Sequence, residues 1–170
     1  MKSIILSKKL LDAEIKEIET SLKVRIIQKN KRTLISGSEL NEYVCLQVLK
    51  ALSLGMNLED ALLLKNPDYS LRTINLKNSV RESRLKTIKS RIIGTKGRTL
   101  HNLESLTNCR IVLKNSMLVI IGESQSIGLI IHAINMIIRG LSHSQVYSFL
   151  EKSRKSMAEE ELLLYREHLE

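Results

Sequence analysis

Arg91-Ile92-Ile93-Gly94-Thr95-Lys96-Gly97-Arg98-Thr99 is the stretch on which the reading of this chain turns. Two glycines three positions apart separate two segments whose apolar residues keep a helical period. Glycine has no Cβ, so the chain can bend sharply between the helices and let a second backbone come close. The amides opening the following helix point outward, and together with the helix dipole they favour a phosphate. Lys96, Arg98 and Arg91 add positive charge around that point. The stretch therefore reads as a seat for a sugar-phosphate backbone. A bare GxxG also arises by chance in helix connections, and a basic run is most often a solvated face, so its surroundings must decide.

Upstream, Leu71 to Leu76 alternates apolar and polar residues and predicts a strand, following Pro67 in a joining segment. Downstream, Leu100, Leu103 and Leu106 share a helix face, and the period changes to that of a strand around Asn108, where Cys109, Ile111 and Leu113 alternate with Arg110, Val112 and Lys114. Asn115-Ser116 supplies a turn into a short strand, Met117 to Ile121, ended by Gly122. Ile127, Ile130, Ile131, Ile134 and Ile138 then mark a long helix stopped by Gly140. Its other side, with Leu129, Ala133 and Met136, is apolar too, which predicts that a second part of the chain covers it. The order is strand, helix, helix, strand, strand, helix. A terminal helix follows from Ser142, with Val146, Phe149, Leu150 and Met157 on one stripe and an acidic end at Glu159-Glu160-Glu161.

The same elements occur twice. Glu19, Arg25, Ile26, Lys29, Asn30, Ile35, Gly37 and Gly55 recur at an offset of 85 as Glu104, Arg110, Ile111, Lys114, Asn115, Ile120, Gly122 and Gly140. At that offset the glycine-flanked bend maps onto Lys9-Leu10-Leu11-Asp12, which has no glycine and ends in an acid that repels phosphate. The first copy is thus degenerate: it either lacks its first strand or uses Lys2 to Leu6 in that place. Packing on the second copy, through long helices or sheet edges, or contact with another protein is its expected role.

With 170 residues, 43% of them hydrophobic, the chain can bury a core as one domain or two small ones, and its seven Gly and one Pro exclude disordered and low-complexity classes. The formal charge of +9 and pI near 9.7 point first to nucleic acid and then to an anionic membrane. Ten basic residues (Lys77, Arg81, Arg84, Lys86, Lys89, Arg91, Lys96, Arg98, Arg110 and Lys114) against Glu82 and Glu104 put +8 of that charge in one window around the bend. One Phe, four Tyr and no Trp argue against folds that stack bases on aromatic rings.

Enzymatic machinery is not visible. Cys45 and Cys109 lie 64 residues apart among apolar neighbours, without zinc or disulfide spacing. His101, His132, His143 and His168 fall on separate elements without metal-ligand spacing; His132 reads as a helix-face residue with a satisfied hydrogen bond, and His101 as an RNA contact or a solvated position. No Walker A spacing, nucleophile elbow or paired carboxylates appear, so no cofactor is expected and the chain is read as a non-enzyme. No signal peptide or membrane-length apolar run appears either, and the default setting is cytoplasmic, without a membrane partner.

The bend and the element order together resemble a type I KH domain (β-α-α-β-β-α), in which a GxxG loop clamps about four single-stranded nucleotides. The fold class expected is α+β: tandem type I KH domains, the first degenerate or truncated, plus a C-terminal helix. The expected divisions are 1–66, 67–141 and 142–170. The resemblance assigns RNA binding to Arg91, Ile92, Ile93, Gly94, Thr95, Lys96, Gly97, Arg98, Thr99, Arg110 and Lys114. It implies an aliphatic base groove lined by Ile88, Ile92, Ile93, Leu100, Leu103 and Ile111, with base edges read near Arg110.

The Arg-Ile-Ile-Gly-x-x-Gly-Arg-Thr motif, Ile120-Ile121-Gly122 and Ser144-Gln145-Val146-Tyr147-Ser148-Phe149-Leu150-Glu151 are similar to the Partner-of-NOB family of pre-ribosomal KH proteins, and to its archaeal branch above all. The likeness spans residues 71 to 157, and Gly140-Leu141-Ser142-His143-Ser144-Gln145-Val146-Tyr147 is its most specific part. It implies a factor of small-subunit assembly that binds single-stranded RNA near the 3′ end of small-subunit ribosomal RNA and assists the PIN-domain endonuclease that matures that end. The alpha subunit of initiation factor two is a further implied partner. Three departures stand out. The first copy lacks its GxxG. Ser142 replaces a common Pro, which predicts a looser entry to the last helix, and Asn115-Ser116-Met117 replaces Gly-Lys-Thr, which removes a phosphate contact. Two other readings compete: a general KH regulator binding mRNA or single-stranded DNA, and a protein-interaction scaffold.

Overall fold

Strands, helices and their order come from a computed structural model, which describes residues 2–5, 10–29 and 32–167. In chain order the first copy contributes β1 (Lys2–Ile5), α1 (Asp12–Leu22), β2 (Arg25–Lys29), β3 (Arg32–Ser36) and α2 (Glu39–Ser53). A short helix, α3 (Leu58–Leu62), joins it to β4 (Tyr69–Asn75), α4 (Glu82–Ile93), α5 (Arg98–Thr107), β5 (Arg110–Lys114), β6 (Met117–Glu123) and α6 (Ser124–Arg139), and α7 (His143–Glu167) ends the chain. The second copy has the strand, helix, helix, strand, strand, helix order of the KH fold.

The internal repeat is a repeat of structure. At the offset of 85, β2 falls on β5, the start of β3 on that of β6, and the start of α2 on that of α6. The backbone agrees at the joints: Lys23 and Asn108 both adopt left-handed φ, 51° and 53°, at the step from helix to strand. Both sheets have three strands in the same order, β1-β3-β2 and β4-β6-β5. The first strand of copy one is therefore present, at Lys2–Ile5, and pairs antiparallel with β3 from Lys2 opposite Ile35 to Ile5 opposite Arg32. Among the described residues copy one has no counterpart of α4, its sequence has no glycine at the place of the loop, and α1 starts with Leu11 as its N-cap and Leu10 buried. Lys9, Asn30 and the end of the Lys2 to Leu6 segment lie outside the described residues.

The chain groups into two compact units, Met1–Ile74 with Arg110–Gly122, and Asn75–Cys109 with Glu123–Glu170. In the first, the apolar faces of α1 (Ile18, Leu22) and α2 (Cys45, Val48, Leu49) meet Ile26, Ile35, Val119 and Ile121 from the strands. Period-2 alternation explains the choice of Val119 and Ile121 on β6. Leu118 and Ile120, on the opposite face, are fully buried as well. In the second unit Leu85, Ile88 and Ile92 of α4 are buried at helical spacing, as are Ile127, Ile130, Ile134 and Ile137 of α6, and α7 lies along α5 and α6.

Some boundaries differ from expectation. Gly122 does not end its strand; it is buried within β6, which runs to Glu123. Leu76 leaves the strand and is buried at the start of a 3-10 turn, Leu76–Asn78. His132 is exposed beside the Phe149 ring, 4.7 Å between centroids. Ser142 tightens the entry to α7 instead of loosening it: its hydroxyl accepts from the Gln145 amide at 3.3 Å, and Gln145 Oε1 accepts from the Ser142 amide at 3.0 Å. This reciprocal cap closes the orphan amides of a helix start as proline could not. Among the described residues, no helix is long and apolar enough to cross a membrane.

Candidate nucleic-acid interface

Helix α4 ends because Gly94 takes φ 73°, ψ 177°, a region essentially restricted to glycine. A Cβ built there would stand 2.2 Å from Thr99 Oγ1 and 2.8 Å from the Thr99 backbone nitrogen. The first glycine thus lets the start of α5 pack against the end of α4, with Thr99 buried between. Gly97 differs. Its φ is 77° and a Cβ there would meet nothing within 4 Å, so it forms an open crest. Thr95, Lys96 and Arg98 are exposed around it, and Lys96 is itself left-handed at φ 54°. No side chain caps α5, whose N-cap is Gly97. An uncapped helix start with two flanking cations presents amide donors and positive charge to an anion.

Two open hollows meet at Gly94. One, of about 520 Å³, is lined by Glu82, Leu85, Lys86, Lys89, Ser90 and Ile93. The other, of about 660 Å³, lies toward the start of α7. Of the aliphatic residues expected to line a base groove, Ile93 is 39% exposed and faces the first hollow, and Leu100 is half-buried. Ile88, Ile92, Leu103 and Ile111 are between 0 and 3% exposed and belong to the core, which corrects the assignment of Ile92 and its neighbours as groove residues. The reason is the helical period: Leu85, Ile88 and Ile92 share the inward face, and only Ile93, about 100° further round, turns out. Thr99 is corrected likewise: at 5% exposure it is a packing residue of the loop.

Arg91 is also reassigned. Its guanidinium donates to the carbonyl of Ile137 at 2.7 Å and to that of Leu141, while its own carbonyl lies 2.9 Å from His143 Nε2. Arg84, two turns earlier on the same face of α4, donates to the Ile138 carbonyl at 3.3 Å. These two arginines cap the carbonyl end of α6, where cations are favoured, and their charge is not mobile. No sequence signal marks this role, because the partners lie some fifty positions away. Arg110 and Lys114 sit in the other unit. Arg110 Nε pairs with Asp60 Oδ1 at 2.9 Å, and Lys114 Nζ donates to the Ser53 carbonyl at 3.3 Å. Both have partners within that unit, 50 and 61 positions earlier in the chain, which an extended phosphate track did not foresee.

His101 is exposed on α5, one turn beyond the loop, and His168 lies outside the described residues. Burial pushes the Cys45 thiol up to about 12, helped by the charge of Glu19, and burial raises Cys109 as well. Both remain protonated and unreactive at neutral pH. Among the described residues, no group of three His, Cys, Asp or Glu side chains could hold a metal ion.

Residues 70–155 match the family model of the second KH domain of PNO1 proteins, described as a eukaryotic-type KH domain of type I. A KH domain-containing protein of Methanocaldococcus jannaschii is 28% identical over 149 residues, covering 84% of this chain and 66% of that protein. The pre-rRNA-processing protein pno1 of Emericella nidulans is 31% identical over 115 residues, 65% of this chain and 45% of the relative. The chain thus spans less than two thirds of the length of either curated relative. Among solved structures, that of an a/eIF2alpha–aDim2p–rRNA complex from Pyrococcus horikoshii matches with a TM-score of 0.80 and 26% identity, covering 91% of this chain and 94% of that one.

Proposed function

Because the chain belongs to the Partner-of-NOB family of KH proteins, we propose that it binds single-stranded RNA near the 3′ end of small-subunit ribosomal RNA as an assembly factor. Gly97 carries this reading: an open crest flanked by Lys96 and Arg98 at an uncapped helix start. Gly94 and Gly97 allow backbone approach, Thr95, Lys96 and Arg98 meet phosphates, and Ile93 offers an apolar surface to a base. Arg91 and Thr99 hold the loop in shape. The name of the Pyrococcus complex, which pairs a related chain with rRNA, supports the ligand class, and its eIF2alpha component supports the alpha subunit of initiation factor two as a partner. The Emericella relative's name supports a part in pre-rRNA processing.

In this reading the chain binds and breaks no bond; cleavage belongs to a PIN-domain endonuclease, and the setting is cytoplasmic. The chain is divided as 1–66, 67–141 and 142–170, with the first copy, lacking the glycine loop, meeting protein rather than RNA. The test is titration of an RNA from the 3′ end of small-subunit ribosomal RNA against Gly97→Asp, and against Thr95→Asp combined with Lys96→Asp. Both variants are expected to lose binding while staying folded, with a thermal transition lowered by a few degrees at most for Gly97→Asp, since Asp is among the residues that tolerate left-handed φ and it meets no neighbour at 97. Undiminished affinity in either variant overturns the assignment of the loop.

A further inference from the structure

We propose that the cleft on the α7 side of the glycine loop is a second phosphate-binding surface, which carries the RNA strand beyond the nucleotides held by the loop itself. The inference rests on the loop reading and extends it. Of the two hollows that meet at Gly94, one sets the Glu82 carboxylate and the apolar Leu85 and Ile93 beside Lys86, Lys89 and Ser90, a mixed lining that offers a base an apolar surface and puts a carboxylate against a phosphate. The other, of about 660 Å³, contains no carboxylate and no aliphatic side chain. Lys86 and Arg98 stand at it as cations, Thr87, Ser90 and Thr95 as hydroxyls, and His143 closes it from the start of α7. Cations interleaved with short hydroxyl side chains are the donors that phosphate oxygens take from proteins.

The wall of this cleft is held in place. His143 is the first residue of α7, whose entry is closed by the Ser142–Gln145 reciprocal cap, and its Nε2 lies 2.9 Å from the Arg91 carbonyl. Arg91 in turn grips the carbonyls of Ile137 and Leu141. His143 is thereby the residue of the Gly140 to Tyr147 segment that stands at the cleft, on its α7 side. Lys86 stands eight positions before Gly94, about 12 Å along α4. At the ~3.4 Å rise of a stacked strand that span accommodates about three further phosphates.

The test uses the full chain and fluorescein-labelled single-stranded RNAs of randomised sequence, five and twelve nucleotides long. Thr87→Glu, at an exposed residue that lines this cleft and not the other hollow, is expected to weaken the twelve-mer several-fold and to leave the five-mer unchanged. The salt slope of log K for the twelve-mer falls by roughly 0.7 for each phosphate released. Circular dichroism checks the fold, and Thr87→Asp serves as a second variant should the first unfold. Wild-type affinity of the folded variant for the twelve-mer, with Gly97→Asp still defective, overturns the second surface while sparing the loop. Equal losses on both lengths overturn it too, since the cleft is then part of the loop's own clamp. A silent Gly97→Asp removes the loop reading and this inference with it.

Discussion

Replacing Gly94 by alanine separates the two glycines of the loop by physical cause. At φ 73°, ψ 177° a non-glycine residue costs about 1–3 kcal/mol in backbone strain alone. The new Cβ also lands 2.2 Å from Thr99 Oγ1, 2.7 Å from its Cβ and 2.8 Å from its backbone nitrogen. Thr99 is buried and its nitrogen is part of α5, so neither can withdraw cheaply. The sum is about 3 kcal/mol or more. For a chain of this size, 1 kcal/mol moves the midpoint by about 2–4 °C, so Tm should fall by about 6–12 °C. Gly97→Ala meets nothing within 4 Å and bears only the left-handed cost of about 1–2 kcal/mol, a fall of about 2–8 °C. Differential scanning calorimetry of both variants decides. Thr99→Ala added to Gly94→Ala should recover only part of the loss, because the contact with the backbone nitrogen remains. Equal falls for the two glycines, or a larger one for Gly97, would refute the argument that Gly94 serves packing and Gly97 serves approach.

Two further outcomes follow from groups inside the fold. Arg91→Ala should lower stability by about 3 kcal/mol, as two charge-assisted bonds to the carbonyls of Ile137 and Leu141 are lost. Arg91→Lys should recover little, since a single ammonium nitrogen lacks the planar spread by which the two terminal guanidinium nitrogens each meet a carbonyl; an unmoved Tm with weakened RNA binding would return Arg91 to the phosphate site. The buried thiols set an alkaline limit: with Cys45 raised from 9.0 to about 12, the unfolded thiol ionises first. Its contribution to stability is then full below pH 9 and declines as the pH rises toward 12. Denaturant titrations across that range check the sign, and thiol labelling at pH 8 should proceed only as fast as the chain unfolds.

The sequence determined the KH order, the glycine loop and the repeat, because each rests on local rules. Helical and strand periods and turn residues are written within a few positions of where they act, and the repeat shows them twice, so α5, β5 and the stop at Gly140 are legible from residues alone. Charge was legible as a total and misleading in detail. Arg84, Arg91, Arg110 and Lys114 are four of the ten basic residues in the window, yet the first two cap α6, Arg110 pairs with Asp60 and Lys114 reaches the Ser53 carbonyl. Their partners are distant in the chain, and a long side chain's destination depends on which acceptor folding brings near. The same holds for Ile92 against Ile93: one position along α4 separates a core residue from a surface one, and the helix's rotation about its axis is set by packing, not by composition. What only the tertiary structure decided is therefore which residues of the motif face outward to meet a ligand and which hold the loop from behind, since burial and long-range hydrogen bonding arise from contacts that no local pattern encodes.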